Sequence, residues 1–208
     1  MPAHPSRGHR LDTLANALAF RYRDRIYVFR PVNRLDRDTS GCMLTSNTKD
    51  ASYKMYAAMT GGRIRKEYLA VLDGIPAERE GTLRSHMRRK PDSVIEREEC
   101  PPDAEGAREA VTEYRVLAVS DGHALVSASP ITGRTHQIRV QFAGIGTPVT
   151  GDSLYGEGSP LIARHALHSA RTTFPHPMTG DMMQVRAPLP EDMRRLTEAL
   201  GLTVPPEE

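Results

Sequence analysis

No run of apolar residues in this chain approaches the ~18 needed to span a bilayer, and the opening MPAHPSRGHR lacks the apolar core of a secretion signal. Membrane and secreted readings are set aside, and a cytoplasmic protein is expected. Cysteine is scarce. Cys42 and Cys100 belong to no CxxC pair, so two free thiols are expected rather than a disulfide framework. Phosphate-binding loops are missing too: GRTHQI and GEGSP have neither Walker nor dinucleotide spacing, which argues against a nucleotide cofactor. The histidines offer no metal-ligand spacing. His165 and His168 do not share a helical face or stand near a cysteine or carboxylate set, and His176 lies between two prolines. Without a GxSxG elbow, Ser40-Gly41-Cys42 makes a poor hydrolase nucleophile.

What is present is a chain of 208 residues, 38% hydrophobic and 26% charged, within the range of ordinary globular domains. Lysine is nearly replaced by arginine: of 28 basic residues four are lysine, although the net charge is only +2. Nucleotide composition alone can produce that bias. The distribution says more, because residues 1–37 hold eight arginines against Asp12, Asp24 and Asp36. Guanidinium forks match phosphate oxygens, so this third permits a polyanionic partner without requiring one.

Leu11, Leu14, Leu18 and Tyr22 trace one face of a helix capped at Asp12 or Thr13. IYVF (26–29) predicts a short strand, 31–41 a loop, 42–44 a strand, and 49–60 a helix stopped by Gly61-Gly62. KEYLAVLDG (66–74) predicts a buried strand, TLRSHMRRK (82–90) a basic strand or arm, and 91–109 a long excursion. Residues 111–130 predict a hairpin turning on Asp121-Gly122. A short helix over 135–146, capped by Thr135, is followed by strands at 166–174 and 182–188 and a helix at 191–200. Strands and helices intersperse without βαβ regularity and no linker divides them. A single α+β domain over 1–208 with a mixed, largely antiparallel sheet is expected.

The loop Asn33-Arg34-Leu35-Asp36-Arg37-Asp38-Thr39-Ser40-Gly41 has the densest chemistry. Composition alone allows a solvated turn with exposed ion pairs worth ~0–1 kcal/mol each. It also allows a carboxylate flanked by arginines to act as nucleophile or base if it faces a pocket.

The run 34–41 resembles the signature loop of the RluA family of RNA pseudouridine synthases. Three further segments agree in order: Lys66-Glu67-Tyr68; Gly133-Arg134-Thr135-His136-Gln137-Ile138-Arg139-Val140 followed by Gly151-Asp152 and Tyr155-Gly156; and Leu167-His168 through Phe174-Pro175-His176-Pro177. Two departures are visible. Asn33 stands where the family usually has histidine, which implies altered loop support. MPAHPS matches the end of a family segment whose preceding strands, like the optional S4-type domain, are expected to be missing here.

The resemblance implies isomerisation of uridine in rRNA or tRNA without metal or cofactor. Asp36 would be the nucleophile, attacking C1′ or C6 or assisting elimination. Arg139 would pair with that carboxylate, and Tyr68 would stack on the base with its hydroxyl near a transferred proton. Arg34, Arg37, Lys66 and Arg134, joined by the basic stretch Arg84, Arg88, Arg89 and Lys90, would contact phosphates. The rival expectation is a catalytically silent RNA-binding module.

Overall fold

The computed structural model describes residues 2–5 and 8–204. Its elements are α1 (Leu14–Arg21), β1 (Ser40–Gly41), α2 (Lys49–Thr60), β2 (Arg65–Asp73), β3 (Glu80–Arg89), β4 (Arg97–Cys100), β5 (Arg108–Ser120) and β6 (His123–Pro130). These are followed by α3 (Gln137–Gly144), β7 (Leu167–Pro175), β8 (Met182–Arg186) and α4 (Glu191–Ala199).

Local chemistry sets several boundaries. Thr48 Oγ1 accepts the Ala51 N–H at 3.1 Å and starts α2 at the predicted place. The helix buries Met55 and Ala58 against Ile64, Val32, Leu44 and Phe174. Asp121 and Gly122 carry φ values of 45° and 78°, the left-handed pair that joins two twisted strands with a tight turn.

The strands form one sheet in the order β1-β7-β2-β6-β5-β3-β4, with β8 also on β7. Every pairing is antiparallel except β1 with β7. Ala70, Val71 and Leu72 on β2, and Ala124, Leu125 and Val126 on β6, are all fully buried. Consecutive burial of that kind needs cover on both faces. Ile138 and Phe142 from α3, with Met193 and Leu196 from α4, join the same core.

Five expectations change. The strand predicted at 42–44 forms instead at Ser40–Gly41, inside the stretch read as a loop, where Gly41 at φ 109° lets the backbone lie against β7. IYVF forms no strand: Ile26 and Val28 are exposed, and ladder-like bonds begin only where Ser46 N–H meets the Arg30 carbonyl and Val32 N–H meets the Leu44 carbonyl, both at 2.8 Å. β-propensity without a neighbouring strand does not make a sheet. The α1 stripe is only half-buried, with Leu11 left 87% exposed. Within MPAHPS, Met1 and Ser6 lie outside the described residues, while the Pro2 and Ala3 carbonyls accept from Leu14 and Ala15 N–H at the start of α1.

The excursion over 91–109 contains β4, which pairs with β3. That pairing, together with the neighbouring segments, neutralises most of the basic stretch. Arg84 pairs with Glu109, Arg88 with Glu98 at 2.7 Å and Lys90 with Glu96 at 2.5 Å, leaving Arg89 without a carboxylate among the described residues. Finally, Thr135 is not the cap of α3; His136 is, with φ of 59° and no side-chain capping bond.

Candidate active site

The loop 33–41 runs into β1 beside β7 and is held from several sides. Asn33 Oδ1 accepts the Leu44 N–H at 2.8 Å, although its buried Nδ2 has no partner among the described residues. Thr39 Oγ1 bonds His165 Nε2 at 2.8 Å, and Ser40 Oγ lies 2.9 Å from His168 Nδ1. His168 Nε2 faces the Ala187 carbonyl at 3.0 Å and must carry the proton, so Ser40 donates to Nδ1. Arg164 closes the set by donating to the Asp38 carbonyl at 3.0 Å and to Ser40 Oγ at 3.2 Å. Gly41 ends the loop at φ 109°, where a Cβ would sit 2.2 Å from the Ser169 carbonyl oxygen. No side chain fits between β1 and β7 there.

Opposite the loop stands α3, too short to hold itself in place and therefore tied to the sheet by two glutamines. Gln137 Nε2 donates to the Val111 carbonyl and Thr112 Oγ1, while its Oε1 accepts from Thr132 Oγ1 and the Arg134 N–H. Gln141 accepts from Thr112 and donates to the carbonyls of Leu83 and Ala110. Buried amides with full partner sets fix orientation as well as position. The left-handed His136, an uncommon conformation for a residue with a Cβ, brings its Nδ1 within 2.7 Å of the Tyr155 hydroxyl.

That anchoring aims Arg139. Its Nε and Nη2 donate to Asp152 at 2.6 and 2.7 Å, a bidentate pair with the Asp152 side chain wholly buried. Burial works against both charges. The shared hydrogen bonds and the attraction between the charges together outweigh it, raising the pKa of Arg139 and holding the Asp152 carboxyl below its ordinary range. The third nitrogen, Nη1, lies 3.8 Å from Asp36 Oδ2, and the Tyr155 ring sits under the guanidinium at 5.0 Å. Tyr68 completes the wall. Burial, with the Asp36 charge adding to it, pushes its hydroxyl up to about 12.

The sequence profile of the family described as RNA pseudouridylate synthase matches residues 1–144. The chain belongs to the RNA pseudouridine synthases. This family member is 40% identical over 197 residues to a Bacillus subtilis protein named uncharacterized RNA pseudouridine synthase YjbO, covering 92% of this chain and 67% of the relative. It is 34% identical to ribosomal large subunit pseudouridine synthase D of Xanthomonas campestris, covering 95% and 63%. The chain thus spans roughly two thirds of the length of its curated relatives. Among solved structures, human RNA pseudouridylate synthase domain containing 1 aligns with a TM-score of 0.72 at 28% identity, covering 95% of this chain and 89% of that one.

Of the residues expected at the site, Asp36, Arg139 and Tyr68 come together. Lys66 lies two positions before Tyr68 on β2 and near Gly133; burial lowers its pKa, and it has no ion-pair partner among the described residues. Arg34 and Arg134 are exposed, the latter donating to the Glu109 carbonyl at 2.9 Å, and Arg37 spends part of its charge on Asp38 at 3.3 Å. Sequence reasoning missed Asp152 as the principal partner of Arg139, and Arg164 as a support of the loop. Asp152 had a signal, since Gly151-Asp152 falls inside a matching motif. Arg164 had none beyond standing next to His165.

Proposed function

We propose that this protein converts uridine in structured RNA, ribosomal or transfer, to pseudouridine in the cytoplasm, with Asp36 as the nucleophile. The observation that carries this reading is the free nitrogen of Arg139 facing Asp36 across the site at 3.8 Å. A guanidinium already locked by Asp152 cannot swing away, so it supplies a fixed positive charge where negative charge develops on the departing uracil. In the C1′ route Asp36 bonds to C1′ as the N1–C1′ bond breaks, the ring turns, C5 joins C1′ as the Asp36 ester bond breaks, the C5 proton leaves and N1 gains one. Tyr68 keeps its proton through neutral pH, which suits it to stack on the base and donate a hydrogen bond. Lys66, Arg34, Arg37 and Arg134 face the RNA backbone. Ribosomal RNA is favoured among substrates because one relative bears the name ribosomal large subunit pseudouridine synthase D.

The test is Asp36→Asn, which keeps shape and removes charge. Turnover on ribosomal RNA should fall below detection, while RNA affinity stays within a few-fold because phosphate contacts supply most binding. Asp38→Asn, altering an exposed carboxylate two residues on, should retain activity. Turnover above about a tenth of wild type in Asp36→Asn would remove the nucleophile assignment, since even one electrostatic donor is typically worth ~10²-fold.

A further inference from the structure

Beside the site lies a second feature that the chemistry above does not use. A cleft of about 230 Å³ is lined by Met87, Arg89, Arg97, Arg108, Gly133 and Arg134, among others. On the β3–β4 ladder Arg89 and Arg97 are directly opposite, and Arg108 faces Met87 from β5. Residues opposite one another, or two apart on a strand, share a sheet face, so Arg89, Arg97 and Arg108 all lie on the face that presents Met87. Like charges directly across a ladder destabilise it. Backbone carbonyls take part of this charge, with Arg97 donating to those of Ile95 and Glu96 at 3.0 and 2.9 Å and Arg134 to that of Glu109 at 2.9 Å, but no carboxylate among the described residues cancels it. Among the described residues Arg89, Arg97, Arg108 and Arg134 form no ion pair, because Glu98 and Glu109 are taken by Arg88 and Arg84. Glu99 shares the face but turns its carboxylate toward Gly144 of α3.

Opposed like charges left without a carboxylate are the kind of broken local rule expected at a functional surface. The cleft is also wired to the site. The Arg97 N–H donates to the Tyr155 hydroxyl at 2.8 Å, that hydroxyl meets His136, and the Tyr155 ring supports Arg139. We propose that this cleft grips the phosphodiester backbone of the same RNA strand whose uridine enters the site, at a nucleotide flanking it. Flipping a nucleotide costs a few kcal/mol of unstacking, and clamping the flanking backbone on a rigid ladder offsets it. This inference rests on the activity proposed above for the choice of RNA, although its test does not require turnover.

Arg89 and Arg108 are both exposed, so Arg89→Gln with Arg108→Gln should leave the fold intact, with a melting temperature no lower than that of the wild type because the repulsion with Arg97 is relieved. Binding of a transcribed large-subunit rRNA fragment is followed by fluorescence anisotropy across a salt series, with Asp36→Asn in every protein compared. The expected result is a log–log salt slope shallower by about 1.5, from two lost contacts at ~0.7–0.9 each. Arg194→Gln with Arg195→Gln removes the same charge from α4, where both arginines pair with Glu191, and should change the slope by much less. An unchanged slope in the Arg89/Arg108 protein, or an equal change in the α4 control, would overturn the proposal. Failure of the wild-type protein to form pseudouridine would sink the activity and leave this binding result standing.

Discussion

Two bidentate arginine–aspartate pairs flank the loop that carries Asp36, and they are built alike but used differently. Arg139 meets Asp152 at 2.6 and 2.7 Å; Arg164 meets Asp192 at 2.7 and 3.0 Å through the same two nitrogens. The remaining nitrogen of Arg164 is consumed by the carbonyls of Asp38, His165 and Leu167. That of Arg139 has only Asp36, at ion-pair rather than hydrogen-bond distance. The Arg164–Asp192 pair is saturated and ties α4 to the backbone of the loop. The Arg139–Asp152 pair keeps one edge of its guanidinium in reserve, held by a carboxylate that is itself fully enclosed. Saturation makes a brace; an unfilled edge leaves a charge free for a further partner.

The comparison breaks most visibly at Arg139. Arg139→Met strands the buried Asp152 carboxylate, and losing one partner of such a pair costs ~3–5 kcal/mol. Urea unfolding should show that loss, and turnover should fall by at least ~10²-fold at temperatures where the variant stays folded. A variant that turned over normally would make Arg139 a brace like Arg164.

His165 lies within reach of both pairs, and acid tests them together. Burial first, then the Arg139 charge, lowers its pKa to about 4. The unfolded value is ~6.5, so between pH 6.5 and 4 the unfolded chain binds the proton more tightly and stability falls as pH drops. The contribution is complete above pH 6.5 and amounts to about 3 kcal/mol at its full extent. His165→Asn should flatten the fall in unfolding free energy measured between pH 7 and 4.5. An equally steep fall in that variant would assign the acid sensitivity to other groups.

The smallest effect is expected at Asp192, whose side chain is 43% exposed. Water replaces part of what Arg164 loses in Asp192→Asn, so stability should drop by about 1 kcal/mol or less. Turnover should decline a few-fold with RNA affinity unchanged, because the loop loosens while the phosphate contacts persist. A rate loss matching that of Arg139→Met would erase the distinction between the pairs.

Short-range chemistry was legible in the chain by itself. Thr48 and the two glycines after Thr60 bound α2, Asp121-Gly122 dictates a hairpin, and the apolar run 68–72 can only be an interior strand. The motifs around Asp36, Tyr68 and Arg139 were equally readable. Each of these signals lies within a few residues of what it specifies. Charge pairing does not work that way. Arg84, Arg88 and Lys90 read as a basic arm until the register of β3 with β4 and β5 brings Glu98 and Glu109 beside the two arginines and the following turn brings Glu96 to the lysine. Arg164 reads as one arginine among 24 until the fold sets it between Asp38, Ser40 and Asp192. Composition and periodicity decide which residues are charged and which segments are regular. Which charges cancel, and which stay free to act, depends on distances across the sheet, and only the tertiary structure decides those.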